Sequence, residues 1–465
     1  MAKQTTDPAP QSTGTPAADA RDAVRLQPAP RQRELTLGDV FRSWWPLAAS
    51  WMLMASEPVL IGAVVSRLPN ADIHLAAWGG IVFPVALLVE APIIMMLAAS
   101  TALSRDIASY RWLNRAVTIA GFGLTVIHAL LAFTPLYDHV VIGLIGPPPE
   151  IIESGRLGLR LMLPWSWAIA DRRFHQGVLI ACGRSRAVGV GTAVRLVVTV
   201  SALSAGYFSG ALSGIAVAGI AIGMGVIGET IAARVAAKAV IHGSLRSAPI
   251  AEPLRLGRFL GFYLPLALTP LLTLATQPIG SASLSRMPDS LRALAIWPIM
   301  NGLVFLSGSA GVAYNEVVVH LAGRPGARPV LRRFLILLAA GSSVFLLAVA
   351  TTPLLDLWFG EFSDLRADQV ALVRGALWVA IPLPAFSALR SYLQGILVHA
   401  HRTRGVTEAV GIFLLVATLV LYAGVRSQWN PSLSVILAAL VLGSTFQCAW
   451  LAWRVRLVDR VDRVD

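Results

Sequence analysis

The sequence predicts an all-α polytopic membrane protein of twelve transmembrane helices, arranged as two parallel six-helix repeats. Three observations carry that expectation. Apolar stretches of about 20 residues, the length that crosses a bilayer, recur from Trp44 to the far end of the chain. Only 14% of the 465 residues are charged, against about 25% in a soluble domain. Segments of the first half also return in the second at a nearly constant spacing.

Residues 1–36 are expected to form a cytoplasmic tail. They are rich in Pro, Ala, Thr and Gln, the composition of a disordered segment, and lack the charged start and short apolar core of a signal peptide. The first lobe is expected over 37–240, with spans at 44–64, 76–100, 114–134, 157–181, 188–207 and 211–235. A linker follows at 241–255. The second lobe, 256–453, holds spans at 259–283, 294–318, 332–353, 371–396, 406–424 and 432–453. Residues 454–465 form the last cytoplasmic tail, in which VRLVDRVDRVD alternates basic and acidic residues.

The formal net charge of +13 fits inner loops that collect Arg and Lys. Nucleic acid is excluded as a partner because no basic patch is interleaved with exposed aromatics. With the N-terminus inside, the inner segments hold Arg105, Arg111 and Arg115, then Arg184 and Arg186, then Lys238, Arg246 and Arg255. Arg324, Arg328, Arg332 and Arg333 follow, then Arg402 and Arg404. The outer segments carry Asp138, Glu150 and Glu153, or Asp356, Glu361, Asp364 and Asp368; Arg156, Arg160 and Arg366 run against the pattern. The expectation is a monomer in a bacterial inner membrane, with both termini cytoplasmic.

Cys182 and Cys448 begin no metal-ligand spacing. No GxxxxGK[ST] stretch, HExxH motif or Cys/His cluster is present. An enzyme is therefore not expected, nor a cofactor. Energy for any transport must come from an ion gradient, a membrane potential or the substrate gradient.

The internal repeat is the most informative feature. LGDVFRSWWPLAAS at 37–50 aligns with LGRFLGFYLPLALT at 256–269, an offset of 219 that also superposes SRLP at 66–69 on SRMP at 285–288 and Trp78 on Trp297. At an offset of 218, Pro164 meets Pro382, Arg172 meets Arg390, and QG at 176–177 meets QG at 394–395. Six spans per half is an even number, so both halves enter from the same side, which gives parallel repeats about an axis along the membrane normal.

These residues resemble a known superfamily. FRSWWPLAASWMLMASEPVLIGAVVSRL at 41–68 and LPWSWAIADRRFHQGVLIACGRSRAVG at 163–189 are similar to the multidrug/oligosaccharidyl-lipid/polysaccharide (MOP) exporters, which include the MATE drug exporters and lipid-linked oligosaccharide flippases. Within that group the nearer resemblance is to the progressive ankylosis (ANK) family. It implies a transporter of two lobes that moves anionic metabolites such as citrate, nucleotides or pyrophosphate outward. MATE exporters also place an acidic residue in the first helix, where it binds H⁺ or Na⁺.

Several charges lie at membrane depth, where each needs a partner or water. Glu57, before Pro58, is a candidate for ion coupling, or else a structural pair with a nearby Arg. Its repeat counterpart is neutral, Thr276 or Gln277. Glu90, before a proline, could share the cavity or mark a helix bend. Glu229, Glu316 and Glu408 read as interfacial or interhelical partners. Asp171, Arg172 and Arg173 are consecutive, and helix positions point about 100° apart, so the three cannot face one partner. Arg172 and Arg390, equivalent in the repeat, are expected to face the interlobe cleft and grip a small anionic or phosphate-containing substrate through the planar guanidinium fork; the alternative is that they tie the fourth helix of each lobe to its neighbours. Arg173 is a further substrate-binding candidate that could reach towards another helix. Arg195 is a third anion-binding candidate, or the partner of Asp171. Asp171 and His175 are weighed for coupling, the latter also as a packed polar residue. Gln176 and Gln394 could bond substrate or the opposing helix, and Gly177 and Gly395 allow close packing. The leading expectation is an exporter of small anions by alternating access. Its rivals are a cation-coupled antiporter of organic cations, a lipid-linked phosphate or sugar flippase, and a non-transporting scaffold.

Overall fold

A computed structural model describes residues 34–249 and 254–461, with side chains as far as residue 458. The expected N-terminal tail up to residue 33, residues 250–253 of the linker and the last four residues lie outside the described residues.

Helices follow one another without a strand among the described residues. The elements are α1 (Leu37–Val65), α2 (Ala71–Leu103), α3 (Ile107–Phe133), α4 (Ile152–Leu161 continuing as Leu163–Ala181), α5 (Arg186–Ser209) and α6 (Gly214–Leu245). The second half supplies α7 (Leu256–Ser285), α8 (Ser290–Leu321), α9 (Ala327–Thr351), α10 (Ala367–His399), α11 (Arg404–Ser427) and α12 (Ser432–Val461). Eleven of these are long and apolar enough to cross a membrane. The remaining element is α4, whose longer segment carries Asp171, Arg172 and Arg173.

Local chemistry explains several boundaries. Thr36 caps α1 by accepting from the Asp39 N–H at 3.2 Å, while Asp39 accepts from the Thr36 N–H at 3.1 Å. This reciprocal box satisfies two donors that the first turn leaves free. Asp106 and Ser109 repeat the device at the start of α3. Pro46 and Pro58 lie inside α1, and each removes a backbone donor. In α2 the regular helix gives way to a π turn at Trp78–Val82 and a 3-10 turn at Ala91–Ile93, the second around Pro92.

The order of elements follows the expected spans, but most helices run further at their ends. Hydropathy marks only the stretch in hydrocarbon, whereas backbone hydrogen bonding continues into the headgroup layer. Two boundaries differ in kind. The expected linker from 241 begins as helix, because α6 continues through a π turn to Leu245. The last helix continues past 453 to Val461.

Helix bounds keep the repeat spacing. Arg186–Ser209 and Arg404–Ser427 stand 218 residues apart at both ends, as do the starts Gly214 and Ser432. The halves meet where α1 packs on α8 and α2 packs on α7 and α8. Some of the hydrogen bonds across this seam come in pairs, whereas those from Arg366 and Gln369 to Asp72 and from Ser281 to the Gly79 carbonyl have no counterpart among the described residues. The Trp44 indole N–H donates to the Ala310 carbonyl, and the Tyr263 hydroxyl donates to the Pro92 carbonyl. At the end of the molecule away from Leu37, Arg67 donates to the Glu361 and Phe362 carbonyls at 2.6 and 2.8 Å. Arg286 does the same to the Leu144 and Ile145 carbonyls at 2.8 and 2.7 Å. Each residue of one bond stands 217–219 positions from its counterpart in the other.

Candidate functional site

The first half buries a network of charges contributed by four helices. Glu57 of α1 lies 3% exposed. It accepts from the Arg195 guanidinium of α5 through both carboxylate oxygens, and from the Thr199 hydroxyl at 2.8 Å. Arg195 also lies 3.7 Å from Glu229 of α6. Glu229 is the hub: it accepts from Arg172 of α4 at 2.6 Å and from the Gln176 amide at 2.9 Å. The chain Glu57–Arg195–Glu229–Arg172 thus alternates in sign through the bundle. Alternation is what a low-dielectric interior demands, since an unpaired ion there costs several kcal/mol.

Consecutive charges on α4 separate as the helical rotation requires. Asp171 turns to Arg234 of α6, which donates to it twice, at 2.6 and 2.8 Å. His175 lies one turn on, with Nδ1 3.3 Å from the same carboxylate. Arg172 turns to Glu229. Arg173 makes no hydrogen bond or ion pair among the described residues, and its Nε is buried without a partner. Glu90 of α2 is 5% exposed, and its Oε2 is likewise unbonded. Gly177 lets α4 approach α2 closely: a Cβ there would collide with Ser100 and the Leu97 carbonyl.

A cavity of about 310 Å³ opens at the seam between the halves. Its wall takes Glu57, Trp78 and Arg195 from the first half and Gln277, Trp297 and Asn301 from the second. Phe83 and Phe305 add further aromatic surface. The tryptophans are the pair that the repeat superposes, and Gln277 stands one position beyond Thr276, the counterpart of Glu57 at that offset.

These positions correct two expectations. Arg172 does not line the interlobe cavity with Arg390; it is 3% exposed and bound to Glu229 inside the first half, the tie between neighbouring helices that was its alternative. Arg195 is not the partner of Asp171 but of Glu57 and Glu229. Gln176 likewise bonds Glu229 within its own half. Glu229 is the interhelical partner that was expected, though its place at the hub was not, and Arg234 was missed. Their signal was available in part: at an offset of 218, Glu229 falls on Gln447, a charged position with a neutral counterpart, as Glu57 is. Glu408 does act as an interhelical partner, held by Arg404, Arg454 and Trp450. No group of three or more metal-ligating side chains occurs among the described residues.

Comparison with solved structures defines the class of fold. The chain has the fold of MATE-type transporters of the MOP superfamily. It superposes on an inward-facing multidrug resistance MATE family transporter with a TM-score of 0.64, at 12% identity, over 89% of this chain and 99% of that one. A mutant of the Vibrio cholerae MATE transporter VcmN matches at 0.61 and 16% identity, over 91% and 97%. A MOP superfamily transporter from Pyrococcus furiosus, described as having a binding pocket of reversed polarity, matches at 0.62 and 13% identity, over 91% and 97%. No protein-family model matches the sequence, and no curated protein does.

Proposed function

We propose that the chain is a secondary transporter working by alternating access, with the seam cavity as substrate site and the Glu57 network as its ion-coupling element. The twelve elements are read as two six-span lobes related by rotation about the membrane normal. The paired seam bonds support this, because a two-fold relation places each bond and its counterpart at equivalent positions. Positive-inside charge puts both termini in the cytoplasm, and the end closed by Arg67 and Arg286 outside.

The substrate we favour is an amphipathic organic cation. The observation that carries this is the wall of the seam cavity, where two tryptophans and two phenylalanines surround one carboxylate. Aromatic faces attract cations, whereas the Glu57 and Arg195 charges on the same wall are bonded to one another, so Glu57 presents its negative charge to a cation only once it parts from Arg195. The polyanion exporter suggested by the ANK resemblance needed Arg172 in the same cleft, and Arg172 is bound to Glu229. Transport of this kind is not catalysis, and the network serves to hold and release an ion as Glu57 exchanges Arg195 for a proton or Na⁺.

The test is uptake into proteoliposomes of a cationic dye and of citrate, with and without a pH or Na⁺ gradient. The expected result is gradient-driven dye movement that falls about tenfold or more in Glu57→Gln, with the variant still monodisperse. Citrate movement without dye movement, or an unchanged gradient response in the variant, would overturn the reading.

A further inference from the structure

The repeat sets the polar triad of the first half against three residues of the second, with one chemical difference. In the first, Arg172, Gln176 and Glu229 are bonded together, at 2.6 and 2.9 Å. An offset of 218 converts them to Arg390, Gln394 and Gln447. The first two lie on α10 and the third on α12. The carboxylate that gathers the first triad is therefore an amide in the second, and the second carries one negative charge fewer.

The consequence is visible in the bonding. Arg390 makes no hydrogen bond or ion pair among the described residues, and it lies near Cys448 of α12. Gln394 makes no side-chain hydrogen bond either. Gln447 is 3% exposed, and its Oε1 is buried without a partner. The nearby carboxylate Glu408 is already engaged by Arg404, Arg454 and Trp450. Arg390 and Gln394 are only partly buried, whereas Gln447 is buried. An arginine cannot shed its proton to relieve this, and a guanidinium at membrane depth needs a counter-charge.

From this juxtaposition we propose that Arg390, Gln394 and Gln447 form an anion-binding site in the second half, which takes a carboxylate group in the position that the Glu229 side chain holds in the first. The planar guanidinium matches a carboxylate with two parallel N–H donors, and the two glutamine amides can turn their NH₂ groups to the same oxygens. The site is separate from the seam cavity, none of whose lining residues belongs to it. It therefore stands or falls independently of the cation reading given to that cavity.

The test uses the full chain in nanodiscs, titrated calorimetrically with acetate, citrate and chloride at constant ionic strength. Saturable binding of acetate and citrate is expected in the unaltered protein. Arg390→Gln should weaken it about tenfold or more. Gln447→Glu is the decisive variant, because it rebuilds the first-half triad and supplies the carboxylate internally. It should abolish acetate and citrate binding while raising the thermal midpoint, which keeps the test valid if Arg390→Gln fails to fold. Arg402→Gln, in the following turn, should bind as the unaltered protein does. Absence of saturable carboxylate binding, binding of chloride alone, or unchanged affinity in Gln447→Glu would each overturn the proposal.

Discussion

Arg172 and Arg390 occupy positions that the repeat matches, yet one is locked in a buried ion pair and the other has no bonded partner among the described residues. The difference lies in a single atom type on a third helix: Glu229 accepts two hydrogen bonds, whereas Gln447 is left with an unbonded oxygen. The same asymmetry recurs at Glu57, which binds Arg195, and whose counterpart at an offset of 219 is the neutral Thr276. The first half holds paired charge at positions where the second carries neutral polar side chains. The lesson is that equivalent backbone positions do not inherit equivalent electrostatics; the charge of one distant partner decides what an intramembrane arginine can do.

The strongest way to break this comparison is to neutralise the hub. Glu229→Gln should cost about 3–5 kcal/mol, because it strands Arg172 and weakens the hold on Arg195. The matched change Arg390→Gln should cost no more than about 1 kcal/mol, since no bonded partner is left behind. Thermal unfolding in detergent measures both, and equal losses would show that the halves are not electrostatically different.

The seam offers the converse, a place where the halves should behave alike. Arg67→Ala and Arg286→Ala each remove two charge-assisted bonds to carbonyls of the other half. Each should favour separation at that end by about 1–2 kcal/mol. Spin labels on the segments around residues 142 and 360 would report a shift to longer distances. The double variant should be close to additive, because the two bonds share no partner. A response confined to one arginine would break the two-fold reading. The smallest expected effect is at the other end. Trp44→Phe and Tyr263→Phe each lose one neutral hydrogen bond, worth about 0.5–1 kcal/mol, and their thermal midpoints should fall by similar amounts.

Much of the architecture was legible before any coordinates. The apolar windows gave the order of the helices, and the match of Pro164, Arg172 and Gln176 with Pro382, Arg390 and Gln394 gave the repeat. Glu57 and Arg195 were both recognised as charges in need of partners. Their pairing with one another was not, nor was the central place of Glu229, which looked like an end-of-helix residue. Arg234, the partner of Asp171, left no mark in the linear pattern because it lies on another helix 63 residues away.

The sequence by itself determined that this chain spans a membrane many times, that its halves repeat, and which side chains at membrane depth cannot remain alone. Those properties are local: hydropathy, composition and spacing survive whatever way the helices are turned. Only the tertiary structure decided the partners. Asp171, Arg172 and Arg173 are adjacent in the chain, but a helix turns about 100° per residue, so each looks onto different surroundings. Which helix stands there is set by close contacts such as that of Gly177 with Ser100. A rotation of α4 by one residue would carry Asp171 into the direction Arg172 now holds and turn Arg172 away from Glu229, breaking both ion pairs while leaving every sequence signal unchanged.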